Sequence, residues 1–176
     1  MKRILVALAV CAALGVAHGQ ISPVQLIVQP QTKKRGAGSG WYWRDSNDSR
    51  TLHIIVKNLS AQPINELTVR WGIVKMRIGS SNTRGPREAA YGAEEKFDLK
   101  PTTQKEIDTP YLDVHHHDWH ASGTYYGEKI TGHGAQVLLQ GKVIAEQFTP
   151  PGIKPLFDKL KPMPKDEEET RPSKRR

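Results

Sequence analysis

Apolar residues recur along this chain with a period close to two rather than 3.6, which predicts strands in place of amphipathic helices. Val24 to Val28 is short and β-branched, a first strand. Leu52, Ile54 and Val56 alternate with His53, Ile55 and Lys57, the signature of a half-buried strand. Asn58-Leu59-Ser60-Ala61-Gln62-Pro63 is turn chemistry, since Asn and Ser bond their own backbone and Pro63 has no N–H for a ladder. Leu67, Val69, Trp71 and Ile73 then repeat the alternation and place Trp71 on the buried face. The two alternating segments read as a hairpin or as a connection between two sheets.

The stretch from Ile78 to Pro86 is rich in Gly, Ser, Asn and Arg and reads as a loop. Phe97 and Leu99 end a strand before Pro101, and Lys105 to Thr109 is a more polar strand stopped by Pro110. Gly134 to Leu139, a Gln140-Gly141 turn and Lys142 to Phe148 form the clearest hairpin. Pro150-Pro151 ends the sheet, Pro155 to Leu160 has room for one helical turn, and the charged remainder has almost no apolar residue to pack. About seven short strands separated by Gly, Pro and Asn turns predict an all-β fold, an antiparallel immunoglobulin-like β-sandwich, with a small barrel as its competitor. The expected organisation is a domain over residues 20–153 and a disordered, Pro-containing tail over 154–176.

The N-terminus changes the picture of where this domain works. Lys2 and Arg3, an apolar run from Ile4 to Ala17 and the small-x-small ending Ala17-His18-Gly19 have the three parts of a cleavable secretory signal over residues 1–19. The expected destination is the periplasm, the outer membrane's surface or the outside. Cys11 falls in this segment; Val10 is bulky where a lipoprotein box needs a small residue, so Cys11 reads as one apolar residue of the leader. It is the chain's single cysteine, so the mature protein is expected to hold together by packing and not by a disulfide. No other apolar run is long enough to span a bilayer. Losing Lys2 and Arg3 takes the formal charge from +8 to +6. From Lys154 onward eight Lys and Arg face five Asp and Glu, so the folded part is only weakly basic. With no basic stripe interleaved with aromatics, nucleic acid is not an expected partner.

Two constellations carry candidate chemistry. His115-His116-His117-Asp118-Trp119-His120 puts four histidines within six residues. If extended, His115 and His117 share a face, and a turn returns His120 or Asp118 toward them, a donor set suited weakly to Zn, Ni or Cu. The spacing matches no His-Glu-x-x-His site, and a polar loop titrating near pH 6.5 is the plainer reading. Trp41-Tyr42-Trp43, followed by Arg44 and Asp45, is the second: extended, Trp41 and Trp43 fall on one side and stack on sugar rings while Arg44 or Asp45 bonds hydroxyls. Its plainer reading is a pair of indoles sealing the core edge. No Gly-x-Ser-x-Gly elbow accompanies the scattered Ser, His and Asp residues, and the chain reads as non-enzymatic, with no resident cofactor expected.

Leu52-His-Ile-Ile-Val-Lys-Asn58 followed by Pro63-Ile-Asn-Glu-Leu-Thr-Val69 resembles the paired strands of bacterial immunoglobulin-like export-domain proteins. Together with Gly132-His-Gly-Ala-Gln-Val-Leu-Leu-Gln-Gly141-Lys-Val-Ile, it is similar to small secreted immunoglobulin-like proteins of the Verrucomicrobia, of the Akkermansia type, associated with type IV pilus-like genes. The resemblance covers most of residues 20–153 and departs from antibody domains in lacking their inter-sheet cysteine pair. It implies a non-catalytic role in adhesion, pilus-like assembly or the envelope, with an envelope or cell-surface protein as partner, or else a glycan. It carries over no catalytic residue.

Overall fold

Every alternating segment forms a strand, and most of the strands run well beyond their apolar stretch. The structure, a computed structural model, describes residues 22–35, 40, 43–78, 87–119 and 124–164, so the leader and the final twelve residues lie outside it. The strands are β1 (Val24–Arg35), β2 (Trp43–Asn58), β3 (Ile64–Ile78), β4 (Arg87–Leu99), β5 (Gln104–Asp108), β6 (Leu112–Trp119), β7 (Thr124–Leu139), β8 (Lys142–Thr149) and β9 (Lys161–Pro162). A 3-10 helix, Pro151–Lys159, precedes β9.

One layer sets β1 and β5 on either side of β2, and the other runs β4, β3, β7, β8. All these pairings are antiparallel, and the order is that of an immunoglobulin-like sandwich. β6 joins the layers at one end, pairing with the first half of β2 and with the start of β7. On the opposite flank the gap between β1 and β8 is closed by a side chain: Gln147 accepts from the Val28 N–H at 3.0 Å and donates to the Val28 carbonyl at 3.3 Å. β2 and β3 do not pair with each other, so the Asn58–Pro63 turn is the connection between layers and not a hairpin turn.

The core lies between the layers. Leu52, Ile54 and Val56 of β2 face Leu67, Val69, Trp71 and Ile73 of β3 with Ala135 and Val137 of β7. Trp71 is 4% exposed, on the strand that enters the second layer. The turn between layers is held by Asn58, whose Nδ2 donates to the carbonyls of Gln62 (2.8 Å) and Lys100 (3.1 Å). Its Oδ1 accepts from the backbone N–H and the hydroxyl of Ser60 at 2.8 and 2.7 Å. This one buried amide ties the β2–β3 turn to the β4–β5 turn. Asn58→Ala is expected to lower the unfolding free energy by about 1–3 kcal/mol, the cost of leaving such groups unpaired. Urea denaturation checks this, and a variant as stable as the parent would refute it.

The C-terminal boundary differs from the expectation. A disordered tail was expected from residue 154, but the 3-10 helix packs Ile153 and Phe157 onto Val74 and Ala90, on the outer face of the second layer. The seat is made of glycines. A Cβ on Gly72 would come within 2.8 Å of Leu160 and 3.2 Å of Phe157, and one on Gly132 within 2.8 Å of Ile153. Lys154 donates to Glu146 of β8 at 2.7 Å, and β9 adds in parallel to β4 at Tyr91 and Gly92. The folded unit therefore reaches residue 164; the apolar spacing Ile153, Phe157, Leu160 outweighs the Pro and Lys residues around it. No helix among the described residues is long and apolar enough to cross a membrane.

Candidate functional site: the histidine strand

β6 is the strand that the sequence reads least clearly, and it carries the histidines. Its alternation is plain in the fold: Leu112 and Val114 are buried, and His116 continues their row. His115 and His117 lie in the other row, opposite Asn47 and Asp45 of β2 in the ladder. The expected shared face is therefore formed. His115 Nδ1 donates to Asn47 Oδ1 at 2.6 Å, and His117 Nδ1 pairs with Asp45 Oδ1. The His117 ring stacks on Tyr126 of β7, with centroids 4.7 Å apart and planes at 22°. With Nδ1 engaged in both rings, Nε2 is the nitrogen each offers outward, and a carboxylate or amide behind a histidine fixes its tautomer and ring orientation. Among the described residues no three His, Cys, Asp or Glu side chains converge on one metal position.

The inner row has a different character. Toward the β6 end the interior turns polar: Arg50 follows Leu52 in the inward row of β2, and His133 follows Ala135 in that of β7. His133 is 7% exposed. Burial first, and the Arg50 guanidinium second, hold its pKa below the ordinary 6.5. In the unfolded chain this imidazole takes up a proton as the pH falls through about 6.5, while the folded chain does not until its lower pKa is reached. Stability is therefore lost on acidification through that interval and is constant above it. Denaturation at about pH 7.5 and about pH 5.5 should show a smaller drop for His133→Gln than for the parent, and equal drops would contradict this.

The structure places the other predicted residues as follows. Trp41, Tyr42 and His120 lie outside the described residues. Trp43 opens β2 and is the ladder partner of Trp119. Arg44 is exposed and falls in the register frame of Ser46 and Asp48, not in that of Asp45 and Asn47. So Asp45, rather than Arg44, joins the histidine row. The ladders that bring Asn47 to His115 and Tyr126 to His117 have no local signal in the sequence. A related pairing occurs lower on β2, where His53 Nδ1 meets Asp108 of β5 at 2.7 Å and Nε2 lies 3.9 Å from Glu106.

No family model matches the chain, and no curated protein matches it. Two solved structures are similar in part. One is a crystal structure from Akkermansia muciniphila, 14% identical, covering 72% of this chain and 71% of that one with a TM-score of 0.32. The other is the X-ray structure of Northeast Structural Genomics Consortium target SoR45, 15% identical, covering 70% and 84% with a TM-score of 0.28. The first comes from the organism type of the resemblance, but at these TM-scores neither likeness carries an argument, and the fold rests on the strand order and register above.

Proposed function

We propose that the protein is an exported, non-catalytic binding module of the cell envelope, engaging a protein partner in adhesion or pilus-like assembly. The observation that supports this reading is an open strand edge with an apolar anchor beside it. β5 pairs on one side with β2, and no ladder occupies its other side among the described residues. At its start a groove of about 510 Å³ is lined by Lys57, Asn58, Leu59, Thr102, Thr103 and Gln104. Leu59 in this groove is 58% exposed, the most exposed large apolar side chain among the described residues. An extended partner segment gains main-chain hydrogen bonds from an open edge and specificity from a neighbouring pocket. Leu59→Asp is expected to weaken retention of the protein on its own envelope fraction about tenfold or more, the loss of one buried apolar anchor, with its melting temperature unchanged. Undiminished retention would count against the edge.

A second reading, a carbohydrate-binding module, is favoured by the other end of the same layer. The half-buried His117–Tyr126 stack with Asp45, Asn47 and His115 combines an aromatic platform with hydrogen-bonding groups, two ladder positions from the Trp43–Trp119 pair. Sugar rings bind such surfaces by stacking and by hydroxyl contacts. Glycan retention lost in Tyr126→Ala, with Leu59→Asp unaffected, would select this reading over the first.

A further inference from the structure

The polar end of the sandwich interior holds more unpaired donors than a finished core would. β6 pairs with β2 along its whole length, from Arg50–Leu112 to Trp43–Trp119, but with β7 only from His116–Gly127 to Trp119–Thr124. Below that join the two layers part, and the chain of β7 shifts register against β3 between Val74 and Lys75, beside Thr131. Arg50 on β2 and His133 on β7 lie in the inward rows of the two layers, near enough for the Arg50 charge to act on the His133 ring. Arg50 Nε, Thr131 Oγ1 and His133 Nδ1 are all buried, and none has a hydrogen-bond partner among the described residues. Farther toward the end of the seam, His116 Nδ1 is in the same condition.

Native proteins leave few such groups unpaired, and a buried guanidinium nitrogen without a partner is among the costlier ones. The three side chains share a chemistry. The Arg50 N–H and the Thr131 hydroxyl donate, and the imidazole donates from Nδ1 in one tautomer. Arg50 adds a positive charge, and no ion pair offsets it among the described residues. Asp48 is the next acidic residue in its row on β2 and makes no such pair. The complement to this set is a small group with two or more acceptor oxygens and negative charge.

We propose that the seam between β2 and β7 binds a small oxyanion, held by Arg50, Thr131 and His133. The anion is either a free inorganic one or a carboxylate, and it completes the polar end of the core as it binds. This site is separate from the open β5 edge and does not depend on it.

The test uses the full mature chain in chloride buffer of fixed ionic strength, titrated with sulfate, phosphate or acetate and followed by calorimetry and thermal melting. One saturable site and a melting temperature that climbs with the logarithm of oxyanion concentration are expected. Sulfate or phosphate as the tighter ligand identifies a free inorganic anion; acetate as the tighter one identifies a carboxylate. Arg50→Met should lose at least about a hundredfold in affinity, and Thr131→Val, which keeps the charge and the volume, about tenfold. Thr131→Val also serves if Arg50→Met does not fold. No saturable binding of any of the three, as a water-filled seam would give, overturns the proposal. So does an oxyanion effect that is the same in the parent and in both variants.

Discussion

Phe157→Ala should lower the free energy of unfolding by about 3–5 kcal/mol, the range for truncating a fully buried aromatic ring. Phe157 is 2% exposed, packs with Val74, Ala90 and Ile153, and meets Phe148 edge-on with centroids 4.7 Å apart. The ring lies over Gly72, which has no side chain to fill the space it leaves. Asp158, exposed and next in sequence, supplies the control: Asp158→Ala should change stability by less than about 0.5 kcal/mol. Urea unfolding of both variants gives the answer. A disordered segment would make Phe157→Ala as silent as its neighbour, which would return the domain boundary to residue 153. Acid should loosen the same attachment. The Lys154 ammonium, chiefly, and Gln136 hold the Glu146 carboxyl below its ordinary range, so this contribution is present above that range and disappears as the pH falls through the depressed value.

Trp71→Ala should cost about as much, about 3–5 kcal/mol, by the same cavity argument applied to the centre of the other packing face. The indole lies between the layers beside Val69 and Ile73, and its ladder partner on β7 is Ala135, itself fully buried and too small to close the void. Trp71→Phe keeps most of the volume and should lose clearly less than the alanine variant. Equal losses would mean that a specific indole contact and not volume sets the cost. No cysteine lies among the described residues, so this packing acts there without the disulfide that crosses many β-sandwiches.

The parts of the fold legible in the sequence are those where one face is apolar and the other polar. The rows Leu52-Ile54-Val56 and Leu67-Val69-Trp71-Ile73 announce their strands, and the Gln140-Gly141 turn announces the last hairpin; both of its residues take positive φ, 51° and 77°. β6 was hidden for a physical reason. Only Leu112 and Val114 of its inward row are apolar, and His116 continues that row where the interior itself is polar, so period two fades just as the histidines begin. The C-terminal segment was hidden by composition. Pro155 and three lysines mask an apolar stripe that has meaning only over the glycines of β3 and β7. At the candidate site the shared face of His115 and His117 follows from alternation alone. Their partners Asp45, Asn47 and Tyr126 come from ladders that join residues about seventy and ten positions away, a register that no local pattern encodes.

The central claim is that the molecule works by docking a protein segment at the β5 edge. Photo-crosslinking tests it most directly: a reactive side chain is placed at Leu59, at Lys105, or at Asp158 on the 3-10 helix, and irradiated in intact envelopes. One stoichiometric protein adduct from the first two positions, and none from Asp158, is the predicted result. Adducts of equal yield from all three positions, or no protein adduct from the edge, would contradict it.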